Sequence, residues 1–141
     1  MSERIKLFYV INGIKKHGEI ELWEYDEKVE YEDDVKIKLY INSDTITKYS
    51  DNFFEALIEI RKELESLGIN LLCRGCCTKV YPSAMLLSMG SGRKAYKLTI
   101  GEPATNNMLV DIFESCDEKD YGTIEEQKKF YKSWLDSIKS K

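Results

Sequence analysis

The sequence predicts an α+β protein in which two amphipathic helices pack on a mainly antiparallel sheet. The first third of the chain alternates apolar and polar residues between turn signals, which is typical of a β-meander. Two later segments show the apolar spacing of helices, and the strands come first as a group rather than alternating with helices. With 141 residues, of which 43% are hydrophobic and 33% charged, we expect a single globular domain that spans residues 1–141.

Four strands make up the predicted N-terminal meander. They are residues 5–11, a returning strand that runs to about Tyr25, residues 35–41 and residues 45–49. Asn12-Gly13 joins the first two strands as a hairpin turn, because both residues tolerate a positive φ. The acidic stretch 26–34 is one of the other connections. No connection is long enough for a crossover helix, so we expect antiparallel pairing.

The first predicted helix has the clearest pattern in the chain. Its apolar residues recur every three or four positions and therefore share one face, which carries Phe53, Leu57, Ile60, Leu64 and Leu67. Asn52 and Glu55 have the spacing of a capping box at the start of this helix. Gly68 can adopt the left-handed conformation that ends it. We expect the stripe to face the sheet as core rather than to hold a cofactor.

The second half of the chain has weaker patterns. We expect a strand at 69–73, an irregular segment over 74–93 with one helical turn at 83–89, and strands at 93–100 and near 108–113. The last predicted element is a helix that opens with the capping box Thr123-x-x-Glu126. Its apolar side carries Ile124, Tyr131, Trp134, Leu135 and Ile138.

Charge is unevenly distributed along the chain, although the net charge is only −4. Residues 24–34 and residues 111–126 each contain seven acidic residues and one lysine, a net charge of −6 in each stretch. Residues 66–101 contain no acidic residue and five basic ones. Two interpretations stay open: the stretches balance one another within the fold, or an acidic surface docks a basic partner.

The chain contains four cysteines: Cys73, Cys76, Cys77 and Cys116. The C-x-x-C spacing of the first two occurs both in zinc sites and in redox pairs. A structural zinc site needs four ligands, but the sequence has no second C-x-x-C, and His17 is its one histidine. Buried or incidental thiols are the favoured interpretation, with redox chemistry and metal binding as alternatives. We expect no metal and no cofactor.

Other chemistries receive less support from the sequence. Gly90-Ser-Gly-Arg-Lys94 superficially resembles a phosphate-binding loop but lacks the Walker spacing, and a tight turn explains its glycines. A histidine-dependent triad is disfavoured because His17 is expected at or just after a solvated turn. A pI of about 5.2 argues against nucleic-acid binding. The chain has no apolar run as long as a membrane span and no signal-peptide pattern, so we expect a cytoplasmic protein without a membrane partner.

Several segments taken together resemble a protein family. They are Leu71-Leu-Cys-Arg-Gly75, Lys79-Val-Tyr-Pro-Ser-Ala-Met85, Gly92-Arg-Lys-Ala-Tyr96, Val110-Asp-Ile-Phe113 and Thr123-Ile-Glu-Glu-Gln-Lys-Lys-Phe-Tyr131. The family consists of small uncharacterised bacterial proteins, and the resemblance covers about residues 5–138. It implies an immunity protein of a polymorphic or contact-dependent toxin system. It implies no catalytic residues, and the pair Cys76-Cys77 falls outside the shared pattern.

The first functional hypothesis is a binding protein that is not an enzyme. It would neutralise a basic bacterial toxin domain, such as a nuclease, by placing carboxylates where the toxin binds phosphates. The predicted partner-binding residues are Glu24, Asp26, Glu27, Glu30, Glu32, Asp33 and Asp34, with Asp117, Glu118 and Asp120 as a second patch. Two strongly acidic stretches on a domain without a recognisable catalytic motif favour this hypothesis.

The alternative hypothesis is a small enzyme or an anion-binding protein that uses the acid-free segment 66–101. A cleft without carboxylates suits an anionic ligand, and a cation beside a thiol lowers the pKa of that thiol. The predicted site residues are Cys73, Arg74, Tyr81, Ser83, Arg93 and Lys94.

Overall fold

A computed structural model describes residues 2–24, 35–89 and 91–139. Within these ranges the chain forms eight strands and three α-helices, which confirms the α+β class. The strands are β1 (Ser2–Ile11), β2 (Ile14–Glu24), β3 (Val35–Ile41), β4 (Asp44–Ser50), β5 (Ile69–Leu72), β6 (Val80–Tyr81), β7 (Lys94–Lys97) and β8 (Leu109–Asp111). The helices are α1 (Phe53–Ser66), α2 (Ala84–Met89) and α3 (Ile124–Lys139), and short 3₁₀ turns lie at Arg74–Cys76, Asn106–Met108 and Glu118–Asp120.

The strands form two antiparallel sheets. The first has the order β4-β3-β2-β1-β5, so the four N-terminal strands are successive neighbours, as predicted for a meander. β5 returns after α1 to pair with the free edge of β1, where Leu72 lies opposite Phe8. The second sheet has the order β6-β7-β8. Its strands are shorter than the predicted strands at 93–100 and near 108–113, and β6 lies in the segment that was expected to be irregular.

Positive φ angles make the tight turns of the meander. Asn12 and Gly13 have φ values of 53° and 74°, which confirms the predicted hairpin turn between β1 and β2. His17 lies within β2 rather than in the turn, and its exposed ring lies 4.6 Å from that of Phe8. Residues 25–34, which contain most of the first acidic stretch, lie outside the described residues.

Helix α1 covers the core face of the first sheet. The Oδ1 atom of Asn52 accepts a hydrogen bond from the backbone N–H of Glu55 at 2.9 Å, and Gly68 has a φ of 71°, so both predicted ends are confirmed. The predicted stripe is buried except at Leu67, which is 61% exposed because the helix ends one residue earlier. The face turned toward the core also carries Arg61, a charged residue that the stripe did not predict.

Helix α3 packs against α1 and β6. Its capping box is complete, since Thr123 N–H donates to the Glu126 carboxylate at 2.9 Å and Glu126 N–H donates to Thr123 Oγ1 at 3.1 Å. Trp134 is buried as predicted, and Gln127 is fully buried on the same helix. None of the helices in the described part of the chain is long and apolar enough to cross a membrane.

Candidate functional site

A buried arginine joins α1 to the loop that follows β5. Arg61 is 2% exposed, and its guanidinium donates to the carbonyl oxygens of Gly75 at 3.2 Å and Gly122 at 2.9 Å. It also donates to Oε1 of Gln127 at 2.6 Å, whereas its Nε meets no acceptor among the described residues. A buried charge is costly unless it is hydrogen-bonded. These three acceptors replace the water that the guanidinium loses on folding.

The side-chain amide of Gln127 holds the same loop from the other side. Its Nε2 atom lies 2.9 Å from the carbonyl oxygen of Gly75, 3.0 Å from that of Cys77 and 2.7 Å from that of Val80. Buried carbonyl groups need such donors, because they have lost water. Arg61 and Gln127 therefore fix the path of residues 75–80; we call this pair the buried clamp.

The loop after β5 lies beside the segment that follows β8. The Arg74 N–H donates to the Glu114 carbonyl at 2.8 Å, and the Thr78 N–H donates to the Asp120 carbonyl at 3.1 Å. Gly75 also packs closely against the residue that follows β8, since an added Cβ would lie 2.9 Å from the Cβ of Ile112. Residues 74–80 and 114–121 thus form a double wall.

A cavity of about 550 Å³ opens beside this double wall, where it meets the β1–β2 hairpin and β7. Five cationic side chains line the cavity: Lys15, Arg74, Lys79, Lys97 and Lys119. Two carboxylates, those of Asp117 and Asp120, also line it. The excess of positive charge in a concave site attracts anions, because the low-dielectric walls focus the field.

The fold brings the four lysines to the cavity from separate elements. Lys15 follows the first hairpin turn, with its Nζ atom 4.6 Å from the centre of the Phe8 ring, and Lys97 lies at the end of β7. None of the four lysines forms an ion pair with another residue in the described ranges. Arg74 differs from them, since its Nε lies 3.4 Å from the Glu114 carboxylate. The lysine charges are therefore available to a ligand.

All four thiols cluster at the double wall. Cys73 and Cys76 are fully buried with their Sγ atoms 3.6 Å apart. The Sγ atoms of Cys77 and Cys116 lie 3.8 and 3.4 Å from the carbonyl oxygen of Cys73, and both residues line the cavity. Among the described residues no three His, Cys, Asp or Glu side chains are placed to hold a metal ion.

The thiols of Cys73 and Cys76, which we call the inner thiols, differ in acidity because they share a hydrogen bond. The bond to Cys76, together with burial, raises the pKa of Cys73 well above its ordinary value. Burial acts to raise the pKa of Cys76, but the hydrogen bond from Cys73 and the nearby Arg61 guanidinium outweigh burial and leave that pKa below its ordinary value. A hydrogen bond with Cys77, and burial, raise the pKa of Cys116.

The structure describes one residue of the first predicted acidic patch and all three residues of the second. Glu24 is exposed at the end of β2, and the structure does not describe the rest of the first patch, which comprises Asp26, Glu27, Glu30, Glu32, Asp33 and Asp34. The second patch is exposed at the 3₁₀ turn before Tyr121 and consists of Asp117, Glu118 and Asp120. Asp117 and Phe8 both line the cavity. Phe8 pairs with His17 of β2, and His17 precedes Glu24 by seven residues. About 20 Å of strand therefore separates Glu24 from His17.

Two of the six predicted anion-site or thiol-site residues lie at the cavity. Arg74 lines it, and Cys73 lies directly behind it. Tyr81 instead stacks on Tyr131, with ring centres 4.1 Å apart. Ser83 caps α2, where its Oγ accepts a hydrogen bond from a backbone N–H three residues later at 3.2 Å.

The other two predicted cations lie at the start of β7 or directly before it. Arg93 donates to both carboxylate oxygens of Glu3, at 2.6 and 2.9 Å, and to the Asp111 carboxylate at 2.9 Å. These bonds satisfy its charge within the protein and raise its pKa. Lys94 is exposed on β7. The structure therefore brings neither cation to the cavity.

Three properties of the cavity bear on function: four lysines without an ion-pair partner in the described part of the chain, two cysteines in the lining, and a wall held by the buried clamp. Sequence reasoning left Lys15 and Lys119 out of the site, because they are remote in sequence from the acid-free segment. Function is inferred from this geometry. No protein-family model matches the chain, and a search of curated proteins gives no match.

Proposed function

We propose that this chain is an anion-binding protein whose ligand occupies the cavity beside the double wall. The observation that carries the proposal is the convergence, on one concave site of about 550 Å³, of four lysines that form no ion pair with any described residue. That volume lies within the range of small-molecule sites, about 300–1,000 Å³. Lysines on the outer surface of a protein normally spread over convex faces, where they attract no particular ligand.

The lining favours an organic anion over a bare inorganic one. Phe8, Val80 and Val110 supply apolar surface next to the cations. An organic anion buries its apolar part against these side chains while its carboxylate or phosphate groups meet the ammonium groups. Asp117 and Asp120 offer acceptors for a hydroxyl or an ammonium group on the same ligand.

Neutralising two of the lysines tests the proposal. We expect Lys79→Gln/Lys97→Gln to weaken binding of citrate and of S-methylglutathione about tenfold, since the loss of two attractive contacts amounts to about 1.4 kcal/mol. Isothermal titration calorimetry measures the affinity, and added salt should weaken binding to the native chain.

Lys128→Gln/Lys132→Gln is the matched control for this experiment. It removes the same charge from exposed positions of α3 that do not line the cavity. Equal weakening by the control, or no binding of either anion to the native chain, would contradict the proposal.

A second candidate function is the immunity role, in which an acidic surface occludes a basic toxin domain. The observation that favours it is the exposure of Asp117, Glu118 and Asp120, none of which is ion-paired with another described residue. Glu24 is exposed where the other acidic stretch begins. Such groups can meet the cationic active site of a nuclease without losing internal partners.

Charge reversal tests this second function. We expect the chain to co-purify with a basic protein of its own cell, and Asp117→Lys/Glu118→Lys/Asp120→Lys to abolish that co-purification, because like charges repel across an interface. Pull-down with mass spectrometry gives the readout. The control reverses three exposed acids elsewhere, Asp44→Lys/Asp51→Lys/Asp136→Lys. Retention of the partner by the first variant would exclude this patch as the interface.

A further inference from the structure

We propose that Cys77 and Cys116 form a thiol–disulfide exchange site in the cavity, whose substrate is an anionic low-molecular-weight disulfide. This inference rests on the proposed anion-binding function and names the chemical class of the ligand. Both thiols line a cavity that also holds five cationic side chains. A thiol pair therefore lies where the electrostatic field gathers anions.

The two cavity thiols are close enough to react with one ligand in turn. Cys77 and Cys116 both line the cavity. Both Sγ atoms also lie within 3.8 Å of a single atom, the carbonyl oxygen of Cys73. Two isolated β-bridges, of Cys73 with Ser115 and of Cys77 with Tyr121, join the backbone segments that carry them. Segments joined in this way lie side by side, and we expect the two sulfurs to reach each other for a disulfide.

The charged neighbours of the two thiols assign their roles. Cys116 is followed directly by Asp117, whose carboxylate lines the cavity and repels an anionic ligand. Lys79, two residues after Cys77, also lines the cavity and attracts the ligand toward that sulfur, so Cys77 is the attacking sulfur. Only the thiolate form attacks a disulfide.

The exchange proceeds in two balanced steps. Cys77 releases its proton to solvent, and its thiolate attacks one sulfur of the ligand R–S–S–R. A Cys77–S–S–R bond forms, the S–S bond of the ligand breaks, and RS⁻ leaves. Cys116 then gives up its proton to water and attacks the Cys77 sulfur, which forms the Cys77–Cys116 disulfide and releases a second RS⁻. The protein dithiol loses two electrons, and the ligand is reduced to two thiols.

The inner thiols explain why the cavity pair is the reactive one. Cys73 and Cys76 are fully buried, so no ligand reaches them directly. Their Sγ atoms, 3.6 Å apart, are not bonded, and all four cysteines are free. An oxidant that acts through the cavity therefore meets Cys77 and Cys116 first.

Reaction with disulfides of opposite charge tests the proposal. The reduced, folded chain is incubated with oxidised glutathione, which is anionic, or with cystamine, which is cationic. We expect oxidised glutathione to react about tenfold faster at low salt, with a smaller ratio at high salt. Intact mass spectrometry should show the loss of two hydrogens, and peptide mapping should show the Cys77–Cys116 bond.

Two variants separate the steps. Cys116→Ser should stop at a mixed disulfide with one glutathione on Cys77, and Cys77→Ser should block the reaction. If Cys77→Ser does not fold, the peptide map of the native chain decides the matter. A cystamine rate equal to that of oxidised glutathione, or a bond that maps to Cys73–Cys76 with Cys77 still reduced, would overturn the proposal.

S-methylglutathione distinguishes failure of the exchange from failure of the proposed function. It carries the anionic groups of glutathione but has no disulfide or free thiol, so it binds without reacting. If it binds while oxidised glutathione leaves all thiols reduced, the exchange proposal is overturned and anion binding stands. If it does not bind and oxidised glutathione does not react, both are overturned.

Discussion

Replacing Arg61 with alanine is expected to lower the free energy of unfolding by about 3–5 kcal/mol. The variant loses three hydrogen bonds made in a fully buried setting and leaves the Gly122 carbonyl without its donor. It also leaves a cavity in place of Arg61, the largest fully buried side chain among the residues that the structure describes. Part of this loss is offset, because the guanidinium itself is costly to bury without a carboxylate partner. Urea denaturation monitored by tryptophan fluorescence measures the change.

The neighbouring residue Lys62 supplies the control. It is exposed and pairs only with Glu59, so Lys62→Ala should change the free energy of unfolding by no more than about 0.5 kcal/mol. The urea concentration at the unfolding midpoint of Arg61→Ala could equal that of Lys62→Ala within error, with an unchanged dependence of the free energy of unfolding on urea. That result would show that the buried clamp contributes little to stability.

Replacing Gln127 with alanine is expected to cost about 3–4 kcal/mol, since an unsatisfied buried polar group costs about 1–3 kcal/mol. The Cys77 and Val80 carbonyls lose their contacts with the amide, and Arg61 loses its 2.6 Å acceptor. We also expect weaker binding of S-methylglutathione, because these carbonyls belong to the wall of the anion cavity. Denaturation and calorimetry give the two readouts.

The adjacent exposed residue Lys128 is the control for Gln127, and Lys128→Ala should leave both stability and anion affinity near those of the native chain. The double variant Arg61→Ala/Gln127→Ala should lose less stability than the two single variants added together, because they share a hydrogen bond. Strict additivity would indicate that the two residues act independently.

Much of the fold follows from local sequence patterns. Neighbouring residues encode the meander, the Asn12-Gly13 turn and the ends of α1. These elements can therefore be predicted from the sequence without knowledge of the tertiary structure. The capping box at Thr123 is equally local. The short strands β6, β7 and β8 are different, because a strand of two to four residues has too few positions for a period-two pattern.

The site depends on contacts that no local pattern contains. Arg61 and Gln127 are 66 positions apart in the sequence. From the sequence alone, a polar residue in a predicted helix is expected to be exposed to solvent, because its buried hydrogen-bond partners are not known. Lys15 and Lys119 reach the cavity only through the pairing of β1 with β5 and through the double wall. Arg74, a predicted site residue of the acid-free segment, lines the cavity, whereas Arg93 donates hydrogen bonds to the carboxylates of Glu3 and Asp111.

Two carboxylates of the second acidic patch belong both to an exposed acidic surface and to the lining of the cavity, which the net charge of the sequence stretch does not reveal. Asp117 and Asp120 are exposed, as the immunity hypothesis requires, but they also line a cavity dominated by cations. Their neutralisation should therefore strengthen the binding of a simple anion at that cavity, even though it weakens the acidic surface. The two proposed functions thus make opposite demands on the same side chains.

An NMR titration of the ¹⁵N-labelled chain with S-methylglutathione tests anion binding at the cavity most directly. The amide resonances of residues 74–80 and 115–120, and those of Lys15 and Lys97, should shift together along one saturable curve. The same shifts should need about tenfold more ligand in Lys79→Gln/Lys97→Gln and the native ligand concentration in Lys128→Gln/Lys132→Gln. Saturable shifts confined to other parts of the molecule, or no shifts at any concentration, would contradict the assignment of this cavity as an anion site.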